Sequence, residues 1–131
     1  MIIADFGSGN TCKNDYNIIQ NMIDEFVKAI GGTRDDVVIK WQLFQEAGAN
    51  QPLNWRMFDY AYSYAHSYGY KTTASVFDPD SVKFLLRYPI PFVKYANNVK
   101  LPTSLVPENV TLIRSGHDMA CISEYPATME Q

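Results

Sequence analysis

The sequence is poor in cysteine, in positive charge and in long apolar runs, and each shortage excludes something. Its two cysteines, Cys12 and Cys121, stand far apart and form neither a CxxC pair nor a zinc-ligand spacing. They read as two reduced thiols of an intracellular protein, with a disulfide between them the lesser alternative. Eleven Lys and Arg against fourteen Asp and Glu leave a net charge of −3, so nothing in the overall charge draws nucleic acid or anionic lipid. No run of about 18 apolar residues occurs, and the opening MIIADFGSGN has no basic leader. Secretion and membrane spanning therefore lack a signal, and a cytoplasmic protein is expected. What is present is the material of a core: 131 residues, 47% hydrophobic and 14% aromatic, enough for one domain over residues 1–131.

Apolar periodicity divides the chain into strands and helices. Residues 2–6, IIADF, read as a strand closed by Gly7-Ser8-Gly9-Asn10. From about Asn14 the positions Ile18, Ile19, Met22, Ile23, Phe26, Val27 and Ile30 make one helical stripe, which Gly31-Gly32 stops. VVIKWQLF, residues 37–44, is a second strand; Asn54 then caps a helix over WRMFDYAYSYAHSY that ends before Gly69. Residues 72–77 form a third strand, and Asp78-Pro79 supplies an N-cap and a first-turn proline for the helix DPDSVKFLLR. Further strands are expected at 91–96, 110–114 and 119–123, joined by connections too short for full helices. The alternation predicts an α/β fold of parallel βα units with right-handed crossovers, abbreviated in its later part.

VVIKWQLF poses a specific question. Alternation puts Val38, Lys40, Gln42 and Phe44 on one face and Val37, Ile39, Trp41 and Leu43 on the other. Both faces are apolar apart from the Lys-Gln pair, as expected of a parallel strand covered on two sides. A lysine in that setting needs solvent or an anion at the strand's end. Asp5, Lys40, Gln42, Ser75, Lys94 and Ser115 are expected at one level, at the strand ends where such folds hold ligands. Two lysines with hydroxyls and Gly/Asn loops suit a phosphate or carboxylate. The equally weighted alternative is an internal pair of Lys40 with Asp5 or another carboxylate.

In order, IIADFGSGN, VVIKWQLF, TTASVFDPDSVKFL, IPFVKYANN, VTLIRSGHDM and ACISEYPAT resemble the N-acetylneuraminate (sialic acid) synthase family over nearly the whole chain. The resemblance implies a TIM barrel, here truncated to about six strands and without the family's antifreeze-like C-terminal domain. It also implies condensation of phosphoenolpyruvate with an N-acylated sugar, assisted by a divalent metal. Lys40 and Lys94 match lysines that hold the phosphate, Ser75 stands for a threonine with that duty, and Asp5 replaces a sugar-contacting glutamate. The two ammonium groups are expected to converge from adjacent strands on one pocket. Departures are substantial: Gly9-Asn10 replaces an Asn-His pair, Asn97 a serine, Val99 a sugar-binding glutamate and Arg114 another serine. A metal-binding histidine falls on Ala120, and a second would lie beyond Gln131. The family's reaction needs its metal as a Lewis acid, so no cofactor is expected, and Mn or Mg enters only if the family activity survives.

The residual candidates are His117, a catalytic base or substitute metal ligand beside Asp118, and His66, which reads as structural or exposed. Tyr60, Tyr64 and Tyr68 form a ridge that suits a neighbouring helix or a protein partner. Cys12 would be reactive only beside a positive group. Three readings follow. The first is a divergent synthase-like domain that has lost condensation and binds an anionic small molecule through Lys40, Gln42, Ser75, Lys94, Asn97 and Ser115, with Asp5 and His117 as catalytic candidates. The second is a non-catalytic subunit, in which a homo-oligomer or another chain covers the open sheet edges. The third is an active aldol-type condensing enzyme.

Overall fold

A computed structural model describes residues 1–31, 35–45, 48–96 and 99–114. It contains five strands, β1 (Ile2–Gly7), β2 (Val37–Leu43), β3 (Lys71–Val76), β4 (Val93–Tyr95) and β5 (Leu112–Arg114). The helices are α1 (Gly9–Cys12), α2 (Tyr16–Ile30), α3 (Trp55–Ser67) and α4 (Pro79–Leu85), and a 3-10 turn, Thr103–Leu105, takes the place of a helix between β4 and β5. All strands pair in parallel, in the order β1-β2-β3-β4-β5. Because every right-handed crossover steps in the same direction, the helices collect on one face, which is the winding of a (βα) barrel. Among the described residues the sheet is not closed, as in a truncated barrel. The expected strand at 119–123 lies outside them.

Local chemistry explains the helix ends. Asp15 opens α2 by accepting from the Asn17 and Ile18 amides, and Gly31, at φ 88°, closes it in the left-handed conformation. The Asn54 side chain accepts from the Arg56 amide. Asp78 accepts from the Ser81 amide, with Pro79 in the first turn of α4.

The two faces of the sheet have separate cores. On the helix side, Ala4, Phe6, Ile39, Trp41, Ala74 and Val76 pack against Ile19, Ile23 and Phe26 of α2, Phe58 of α3, and Val82 and Leu85 of α4. Edge-to-face contacts of Phe6 with Phe26 and Trp41, both at 5.4 Å, tie the first two strands to α2. On the opposite face Ile3, Val38, Phe92 and Ile113 form a smaller apolar cluster. The Tyr60-Tyr64-Tyr68 ridge packs against α2. The hydroxyls of Tyr64 and Tyr68 both donate to the Asp24 carboxylate, and the Tyr60 ring meets Tyr16 at 4.9 Å.

Candidate functional site

Beyond the Ile3 and Val38 layer, the face away from the helices turns polar towards the strand C-termini. Strand register places its members. Asp5 pairs with Lys40 and Lys40 with Thr73; Gln42 pairs with Ser75, Ser75 with Lys94, and Lys94 with Ile113. In-register partners of parallel strands, and residues two apart, share a face. Asp5, Lys40, Gln42, Thr73, Ser75 and Lys94 therefore all project from one side.

Two expectations need correction. The candidates occupy two levels, not one: Asp5, Lys40 and Thr73 form the lower level, and Gln42, Ser75 and Lys94 the upper, about 6.6 Å farther along. Lys40 and Lys94 do not stand on adjacent strands, because β3 runs between their strands. The levels follow from register, since Gln42 stands two residues beyond Lys40 on β2, and the separation of the lysines follows from strand order. β4 is a short strand whose Lys94 aligns with Ser75, two residues past the partner of Lys40.

Burial makes this group chemically unusual. Lys40 is 1% exposed, Lys94 2%, Asp5 3% and Ser75 3%. Lys40 Nζ lies 3.5 Å from Asp5 Oδ2, so the internal pair weighed from sequence is present. Asp5 is further held in place, with Oδ1 accepting from the Gly7 amide at 2.9 Å and Oδ2 from Gln42 Nε2 at 3.4 Å. The register slips between Asp5 and Gly7, and Gly7 takes φ 84°, so the bulge turns its N–H back onto the carboxylate. Lys94, one level above, sits beside the Ser75 hydroxyl side chain in the ladder. Thr73 is the member that sequence reasoning missed. Its hydroxyl donates to the Phe92 carbonyl, and its spacing of two from Ser75 was the available signal.

The rim above these strands is fastened by asparagines. Asn14 Nδ2 donates to the Pro52 carbonyl at 3.0 Å, and Asn14 Oδ1 accepts from the Asn54 amide at 2.7 Å. Asn10 Oδ1 accepts from the Gln51 amide at 2.8 Å. Lys13 and Asn14 take positive φ values of 56° and 49°, a strained turn that the Asn14 bonds help hold. Cys12 is buried just beneath, and burial pushes its thiol up from its ordinary pKa, so it has no reactive thiolate character at neutral pH. His66 is exposed and its ring lies parallel to that of Tyr62.

Asn97, Ser115, His117 and Asp118 lie outside the described residues, as does Cys121. Among the described residues no three His, Cys, Asp or Glu side chains come together as metal ligands, and Asp5 is already engaged by Lys40, Gln42 and the Gly7 amide. The site as described does not fit the divalent metal that the resemblance implies, and no metal-dependent step is derived from it. No described helix is long and apolar enough to cross a membrane.

No protein-family profile matches the chain, and no curated protein sequence does. Among solved structures, the chain is similar to a phospho-2-dehydro-3-deoxyheptonate aldolase (DAHP synthase) from Thermotoga maritima, with a TM-score of 0.51 and 14% sequence identity. The likeness covers 72% of this chain and 26% of the aldolase, so the chain spans about a quarter of that enzyme's length. At that identity the likeness establishes a parallel, barrel-type α/β fold.

Proposed function

We propose that the chain is a divergent sialic-acid-synthase-like β/α domain that binds a phosphorylated or carboxylated small molecule at the C-terminal ends of β2, β3 and β4, without metal-dependent condensation. The observation that carries this reading is that Lys40 and Lys94, both buried, project from one face on either side of Ser75. Two buried ammonium groups make this end of the sheet locally cationic, and an anion bound there gains charge-assisted hydrogen bonds. Asp5 holds the Lys40 side, which directs the anion towards Lys94, Ser75 and Gln42. The similarity to an aldolase of the same winding supports a ligand at this end of the sheet. Calorimetric titration with phosphoenolpyruvate and with sugar phosphates tests the proposal. Heat is expected with the wild type and is lost in Lys94→Gln; a silent wild type, or a variant that titrates unchanged, removes the anion site.

A second reading is favoured by the unclosed sheet, whose β1 and β5 are edge strands among the described residues. A second copy or another chain would pair with those edges. Light scattering separates the readings: an obligate assembly that binds no anion favours the structural role, and a monomer that binds one favours the ligand site.

A further inference from the structure

A cavity of about 340 Å³ lies at the opposite end of the sheet. Its walls are Tyr62 and His66 of α3, Tyr70 and Lys71 at the start of β3, and the run from Pro89 to Pro91 ahead of β4. We propose that it binds a small planar anion, an aryl ring carrying a carboxylate. Shape supports the ring. The Tyr62 and His66 rings are within 6° of parallel at 6.3 Å, and Tyr62 also meets Tyr88 at 4.9 Å. The Tyr62 hydroxyl donates to the Pro89 carbonyl, which fixes this wall against the proline run. Flat aromatic and proline faces held before binding suit stacking and lower its entropic cost. The volume sits at the lower end of the roughly 300–1,000 Å³ of small-molecule pockets, enough for one or two rings.

Charge supports the carboxylate. The walls contain Lys71 and His66 but no Asp or Glu, so an anion meets two side chains that can donate to it and no opposing carboxylate. A ligand bearing an ammonium, including a zwitterion, meets like charge. This site is distinct from the strand-end group, since Lys71 stands four residues before Ser75 on the same strand, about 13 Å away.

The test is an amide NMR titration with 2-naphthoate, its neutral isostere 2-naphthamide, and 1-naphthylmethylammonium. The naphthoate is expected to move the amides of Tyr70, Lys71 and Ile90 and to bind about tenfold more tightly than the amide. Exposed Lys71→Gln should abolish that preference with the remaining spectrum unchanged, and His66→Ala should weaken both ligands. Silence at millimolar naphthoate, equal binding of acid and amide, or shifts confined to Ser75 and Lys94 overturns the proposal.

Discussion

Lys40 meets Asp5 across the first two strands with Nζ 3.5 Å from Oδ2, in surroundings that leave the two side chains 1% and 3% exposed. The pair explains how a lysine persists within an apolar strand. Its stability rests on keeping both charges, because a buried ion deprived of its counter-ion bears its desolvation cost alone.

Asp5→Asn should accordingly destabilise the fold by about 3–5 kcal/mol, measured by urea denaturation. The double variant Asp5→Leu, Lys40→Met should recover most of that loss, because it removes the charges together. A single variant as stable as the wild type would show that the pair contributes nothing.

Gly9 has no room for a side chain. A Cβ there would lie 2.4 Å from the Pro52 carbonyl oxygen and 2.9 Å from both Asn14 Nδ2 and Gln51 Cγ. Gly9→Ala should push the 50–54 segment off α1 and cost about 1–3 kcal/mol. Thermal melting measures the loss, and amide exchange should rise at Gln51 and Asn54, whose N–H groups bond to Asn10 and Asn14.

Asp78 does two jobs. Oδ1 caps α4 through the Ser81 amide at 2.8 Å, and Oδ2 accepts from the Gln45 amide, also at 2.8 Å. Asp78→Ala should cost about 2 kcal/mol in chemical denaturation. Asp78→Ser, which keeps a capping oxygen but cannot serve both amides, should restore about half.

Alkaline pH should weaken the fold through its tyrosines. The Tyr88 hydroxyl is raised by burial first, then by its hydrogen bond to Asp59 and the negative charge of that carboxylate. Burial also raises Tyr62 and Tyr95. A raised folded-state pKa means the native state holds the proton longer. The stabilisation is thus complete below about pH 10 and is lost as pH rises beyond it towards the folded values. Urea midpoints between about pH 9 and pH 11 should fall, and Tyr88→Phe should make the fall shallower. An unchanged slope in that variant would remove Tyr88 from the effect.

Much of the fold was legible because its signals are local. The stripe from Ile18 to Ile30, the caps Asn54 and Asp78, and the proline after Asp78 each act within a few residues, and the structure places α2, α3 and α4 accordingly. The four-residue α1 escaped notice because it has no apolar period and depends on the Ser8 side chain accepting from the Asn10 amide. The site was legible in composition but not in arrangement. Asp5, Lys40, Gln42, Ser75 and Lys94 share one face, of which alternation along a single strand required only the Lys40-Gln42 part. Their split into two levels, the intervening β3 and the membership of Thr73 were not visible.

The amino-acid sequence by itself determined where β1 to β3 and α2 to α4 lie, which faces are apolar, and that Lys40 needed solvent or an anion. All of these follow from the two-residue period of a strand, the helical stripe and the chemistry of chain ends. Only the tertiary structure decided that the partner is Asp5, and that Lys94 stands with Ser75 one level above. Register is settled by contacts between strands distant along the chain, and shifting a pairing by two residues leaves every side chain on the same face.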